Sequence, residues 1–219
     1  MSISQRFYVR VRGNIACFTR PEYKVERVSY EVMTPSAARG ILEAVLWKPA
    51  IRWDVRAIHV LAPIAWCAFR RNEVKSRLNP RHTTPYFSDD DRTQRNTVAL
   101  RDVDYVVEAR FCMTSRAGHT DNVAKFEEMF RRRMELGQHF QQPFLGCREF
   151  DARVDLVDAV PESPHKGVDR PLGLMFHDFD YSHDPPRQRF FEARLRDGVV
   201  EVPPWTDTPT EVSDAARAL

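Results

Sequence analysis

The chain has 219 residues, 42% of them apolar and 29% charged, with a formal net charge of +2. That length and balance suit a soluble globular protein with a real core, either one large domain or a medium domain with a small one. No stretch reads as a signal peptide or as an apolar run long enough to cross a bilayer, so a cytoplasmic protein without membrane association is expected. The cysteines, Cys17, Cys67, Cys112 and Cys147, lack the close spacing of a zinc site or the density of a disulfide scaffold, and are expected to be reduced and mostly buried.

The N-terminal "QRFYVRVRG" alternates Phe7, Val9 and Val11 with Arg6, Tyr8, Arg10 and Arg12, which predicts a half-buried strand with a cationic outer face. Residues 1 to 30 also carry Arg20, Lys24 and Arg27, against Glu22 and Glu26. In "TPSAARGILEAVLWKP", Thr34 is a natural N-cap, Pro35 sits at the first helical position, and Ala38, Ile41, Leu42 and Val45 repeat at helical spacing until Pro49 ends the run. "AIRWDVRAIHVLAPI" predicts a second strand. The polar residues 70–99 are too many for a plain turn and predict an inserted hairpin or loop. The run 69 to 81, "FRRNEVKSRLNPR", holds Arg70, Arg71, Lys75, Arg77 and Arg81 against Glu73 alone. Two basic blocks suit a polyanion, because each cation meeting a phosphate releases condensed counterions, although either block alone reads more plainly as solvated surface.

"VDYVVEARFCM" predicts a third strand. The next helix, capped by Thr120 or Asp121 and closed by Gly137, has an apolar stripe of Val123, Phe126, Phe130 and Met134, with Lys125 and Arg132 at its margin. Its "RRR" run, 131 to 133, either complements the helix dipole or meets phosphate. "CREFDARVDLV" predicts a fourth strand. The order strand, helix, strand, strand, helix, strand gives an α+β fold, ferredoxin-like and akin to RNA-recognition domains, over residues 1–158. Residues 159–205 predict a small antiparallel β domain with a turn at Asp197 and Gly198, and 206–219 a disordered tail.

Few constellations suggest chemistry directly. "HDFDYSHD" gathers His177, Asp178, Asp180, His183 and Asp184, but strand alternation would place His177 and the aspartates on different faces, so no metal site is expected there. "SDDDR", 88 to 92, reads as a solvated loop tip. Glycine-rich phosphate loops, nucleophile elbows and dinucleotide fingerprints are absent from the sequence, and no cofactor is expected.

Several segments, in order, resemble one family: "ACFTRPEYKVERVSYEVMTPSAARGILEAVLWKPAIRW", "IHVLAPI", "RRNEV", "LRDVDYVVEARF", "DNVAKFEEMFRRR" and "QQPFLGCREF". Together they are similar to the CRISPR-associated family-five proteins of subtype I-C, the d-variant, over about residues 7 to 202. The resemblance implies a metal-independent endoribonuclease that cuts CRISPR repeat RNA by attack of a ribose 2′-hydroxyl, stays on the guide RNA handle and joins the type I-C surveillance complex. Such a reaction needs a base for the 2′ proton, a cation for the growing phosphate charge and an acid for the leaving oxygen.

The family's tyrosine, lysine and histidine fall on Leu46, Lys125 and Phe126, so only the cation is retained. Lys125 is then expected to stabilise the transition state. His119, just before the helix, is the first candidate for proton transfer, with Tyr30 and His59 behind it, because histidine exchanges protons near neutral pH. Arg10, Arg12, Lys24, Arg27, Arg70, Arg71, Lys75, Arg77, Arg132 and Arg148 are the candidate RNA contacts. A non-cleaving RNA-binding subunit is the rival reading, and nonspecific double-stranded DNA binding through the same cations a third.

Overall fold

The structure, a computed structural model, describes residues 2–23, 25–76 and 87–205. β1 (Phe7–Ala16) shows the expected alternation, with Phe7, Val9 and Val11 buried. After a short β2 (Arg27–Val28) comes α1 (Pro35–Val45), capped as its sequence demands: Thr34 Oγ1 accepts the Ala37 N–H at 3.3 Å and proline opens the first turn. Its buried stripe is Ala38, Ile41, Leu42 and Val45.

β3 (Ile51–Val60) and β4 (Ala65–Val74) lead to β5 (Arg92–Met113), which is far longer than the sequence pattern suggests. β5 pairs with β4 from Arg92 to Arg101, with β1 from Leu100 to Ala109 and with β3 from Tyr105 to Met113. Asp102, at φ 53°, stands just past the end of the β4 pairing. Beyond α2 (Val123–Glu135), β6 (Arg153–Val157) pairs with β1. The resulting order β6-β1-β5-β3, with α1 between β1 and β3 in sequence and α2 between β5 and β6, is that of a split βαβ unit and consistent with a ferredoxin-like fold.

The sheet does not stop there. β9 (Val199–Glu201) adds to the edge of β3, and β8 (Arg187–Arg196) and β7 (Asp169–Asp180) follow it, giving nine strands among the described residues. Asp197 and Gly198, both with positive φ, make the tight turn between β8 and β9. Arg39 of α1 reaches Asp178 of β7 through two hydrogen bonds, the longer of 3.0 Å, so the helix layer and the C-terminal strands are joined by a charged clasp.

One continuous core lies between the helices and the sheet. Its centre is aromatic: Trp53 and Phe130 have ring centroids 4.7 Å apart, Phe7 and Phe130 5.0 Å, and Trp53 and Phe111 5.4 Å. Such tilted and edge-on pairs add to the burial of large apolar surfaces.

Candidate functional site

α2 begins at Val123 because Asn122, in extended conformation, lends its side-chain oxygen to the Lys125 N–H at 2.9 Å. The cap is thus Asn122 rather than the expected Thr120 or Asp121. Its amide sits three residues before Lys125, where a short side chain reaches the third helical N–H. Asp121 has another task. One carboxylate oxygen accepts the Gly118 N–H at 3.0 Å and the other accepts from Lys125 Nζ at 2.9 Å. These bonds hold the Asp121 carboxyl below its ordinary range, the Lys125 hydrogen bond first, and the positive charge of Lys48 adds to the effect.

Lys48 comes into play through the chain's tertiary path. Thr114, just after β5, donates through Oγ1 to the Pro49 carbonyl at 2.6 Å and through its N–H to the Ala50 carbonyl at 2.9 Å. The link from β5 to α2 is thereby fastened to the link from α1 to β3, and one surface corner acquires Lys48, Asp121 and Lys125. Lys125 keeps 43% of its side chain exposed. His119 is exposed in the same link, in the turn before Asp121. Lys48 is the site residue that sequence reasoning missed, although it lies in the quoted "LWKP".

The two other triad positions are sealed away from this corner. Leu46 is fully buried at the end of α1, its carbonyl accepting from Trp53 Nε1 at 2.9 Å, and Phe126 is 2% exposed with its ring edge-on to Phe111. Lys125 Nζ lies 5.7 Å from the Phe126 ring centroid, so the cation sits above an apolar wall. Of the other proton-transfer candidates, Tyr30 is buried with its hydroxyl accepting the Phe176 N–H at 3.2 Å, and burial raises it to about 12. His59 lies within strand β3 near Glu108, and desolvation lowers its pKa.

The candidate RNA contacts separate by their partners. On β1, Arg10 donates to Asp104 from Nε at 3.0 Å and Nη2 at 2.6 Å, while Arg12 pairs with Asp155 at 2.6 Å. In strand register Arg12 faces Asp104 and Arg10 faces Asp155, so the two ion pairs cross diagonally and cancel charge on the open sheet face. Arg27 and Arg71 belong to a second web, in which both bond Glu149 and both approach Glu73, which also accepts Arg95 at 3.1 Å. Arg70, Lys75, Arg132 and Arg148 are exposed. Lys24 and Arg77 lie outside the described residues. Within the "RRR" run, Arg131 stacks over Phe7 at 5.3 Å and Arg133 donates to the Val45 carbonyl at 2.6 Å, satisfying an end group of α1, so these two serve the fold.

The acidic and histidine-rich "HDFDYSHD" separates as well. His177 is buried beside Phe191 and Trp205, Asp178 pairs with Arg39, and Asp180 pairs with Arg189. A register irregularity between Phe176 and Asp178 disturbs the simple alternation expected of the strand. A cleft of about 160 Å³, lined by residues including Val45, Arg133, His139 and Gln142, opens near the C-terminal end of α2. The helix rise puts its lining residues roughly 12 to 18 Å beyond Lys125 along the axis.

A family model described as CRISPR-associated protein (Cas_Cas5), of the Cas5d type, matches residues 8–203. The chain is 44% identical to a CRISPR pre-crRNA endoribonuclease Cas5d from Mannheimia succiniciproducens, covering 93% of this chain and 97% of that protein. It is 43% identical to the protein of the same name from Thermus thermophilus, covering 90% and 91%. Among solved structures, a CRISPR-associated protein superposes with a TM-score of 0.73 at 26% identity, over 94% of this chain and 96% of that one. A chain described as a CRISPR RNA-guided surveillance complex gives a TM-score of 0.53 at 13% identity, over 92% of each, a likeness of fold alone.

Proposed function

The chain belongs to the Cas5d family of CRISPR-associated proteins, and from that premise we propose that it cuts CRISPR precursor RNA within the repeat and remains on the guide RNA as a subunit of the type I-C surveillance complex. The observation that carries this reading is the 43–44% identity to two proteins named pre-crRNA endoribonucleases, across nine-tenths or more of the chain. Residues 1–158 form the RNA-binding and cleaving unit, and 159–205 a small β unit continuing the same sheet. No helix among the described residues is long and apolar enough to cross a membrane. Work on CRISPR precursor RNA would place the protein in the cytoplasm.

In the reaction the 2′ oxygen attacks the adjacent phosphorus and the 5′ oxygen leaves, giving a cyclic phosphate and a free 5′-hydroxyl. Lys125 places its ammonium against the phosphate oxygens as negative charge builds there, and the nearby charge of Lys48 supports it. Asp121, held ionised by both cations, orients them and yields its place to the incoming phosphate. His119 takes the 2′ proton, and water protonates the leaving 5′ oxygen. Metal is not required, because the lysines supply the charge and His119 and water carry the protons.

The burial of Leu46 and Phe126 favours a second reading, in which the protein binds repeat RNA without cutting it. Incubating the purified protein with its own repeat RNA in chelator separates the two. A defined cut ending in a cyclic phosphate supports cleavage; stable binding of intact RNA supports the second reading.

A further inference from the structure

Away from the Lys125 corner, two cysteines that stand 130 positions apart meet beside the hairpin formed by β4 and β5, near Arg27 and the Arg71–Glu149 pair. The segment after β1 and the loop before β6 are bonded here: the Cys17 N–H donates to the Leu145 carbonyl at 3.0 Å. The approach between them is close enough that a side chain at Gly146 would put its Cβ 2.1 Å from the Cys17 carbonyl oxygen. Cys147 Sγ donates to that same oxygen at 3.6 Å, Arg27 Nη1 of β2 donates to the sulfur at 3.4 Å, and Cys17 Sγ lies 3.5 Å from Thr19 Oγ1. Cys17 is fully buried, and Cys147 is half-buried.

We infer that Cys147 is a thiol-modification site, a nucleophilic sulfur that reacts with peroxides and is then resolved by Cys17 into an internal disulfide. The charged and titratable groups around it are Arg27 from β2, Glu149 from its own loop, and Cys17 from the segment after β1; Arg71 of β4 acts through Glu149. The hydrogen bond from Cys17 and the charge of Arg27 outweigh burial and Glu149, lowering the Cys147 thiol to about 6, while Cys17 is held protonated well above the ordinary thiol range. One sulfur is therefore the thiolate that attacks and its neighbour the thiol that follows.

In the first step the Cys147 thiolate attacks one peroxide oxygen. An S–O bond forms, the O–O bond breaks, and the departing hydroxide takes a proton to become water. In the second, Cys17 sulfur attacks the sulfenic sulfur of Cys147; an S–S bond forms, the S–O bond breaks, and the hydroxide leaves as water with the Cys17 proton. Two thiols lose two electrons and the peroxide gains them. The disulfide removes the negative sulfur from Arg27, a candidate RNA contact in the web with Glu149 and Glu73, so oxidation alters the charge presented beside the hairpin.

Hydrogen peroxide treatment of the full chain, followed by non-reducing peptide mapping, tests the site. The expected product is a Cys17–Cys147 linked peptide, absent in Cys147→Ser. In Cys17→Ala, Cys147 should instead accumulate as a dimedone-reactive sulfenic acid. In the unmodified chain, iodoacetamide near pH 7 should alkylate Cys147 roughly tenfold faster than Cys67 or Cys112, and Arg27→Gln should erase most of that lead. Equal alkylation of the three half-buried cysteines, or peroxide treatment that leaves Cys147 a free thiol, would overturn the assignment.

Discussion

Lys125 and Phe126 are adjacent on one helix and belong to different worlds. Lys125 stands in an open corner with Asp121 and Lys48, braced by two connections that Thr114 ties together. Phe126 packs edge-on to Phe111 in the core that also holds Leu46, Trp53 and Phe130. The corner has charge without an obvious proton carrier of the family type, and the wall has neither charge nor protons. Asp121 bonds Lys125 and feels the charge of Lys48, so the corner keeps its cations, whereas the positions of Leu46 and Phe126 carry buried hydrocarbon.

The comparison is broken most forcefully from the core side. Phe126→Ala should cost about 3–5 kcal/mol of stability, read as a lower urea midpoint, because it opens a cavity among aromatic rings. The double substitution Leu46→Tyr with Phe126→His restores the family's protic groups at sealed positions. It should lose about 1–3 kcal/mol through overpacking and leave the cleavage rate unchanged; a faster rate would show that the wall opens onto the RNA. On the corner side, Lys48→Ala should slow single-turnover cleavage about tenfold while changing RNA affinity only a few-fold, since one supporting charge is worth about 1.4 kcal/mol at the transition state. On the sheet face, Asp104→Asn with Asp155→Asn frees Arg10 and Arg12 from their crossed ion pairs. If RNA reaches that face, the slope of log affinity against log salt should steepen by about 1 to 2.

The smallest expected effect is one of pH. Desolvation depresses His59 and His177 below the ordinary histidine value of 6.5. As pH falls through that value the unfolded chain takes up protons that the folded chain refuses, so their contribution to stability is present above about pH 6.5 and is lost below it. Urea midpoints should drop between pH 7 and 5, and His177→Asn should flatten part of that slope.

Much of this was legible from local patterns. The cap and first turn of α1 follow directly from Thr34 and Pro35, the alternation of β1 from Phe7, Val9 and Val11, and the turn at Asp197 and Gly198 from its residue types. The early half of β5 was hidden because "RTQRNT" pairs with β4 through polar residues alone, leaving no apolar period to read. The Asn122 cap escaped because three consecutive residues, Thr120, Asp121 and Asn122, are all good caps, and only the backbone path decides among them. Lys48 and the crossed pairs of Arg10 and Arg12 depend on partners supplied by distant segments. Local spacing carries no trace of such contacts, and the basic blocks consequently looked freer than they are.

Single-turnover cleavage of the cognate repeat RNA in chelator, comparing the unmodified chain with Lys125→Ala at saturating protein, bears most directly on the central claim. The account predicts a defined cut whose rate falls about 10²–10³-fold in the variant, with RNA affinity changed only a few-fold. A cut that proceeds equally well without the Lys125 ammonium would contradict it.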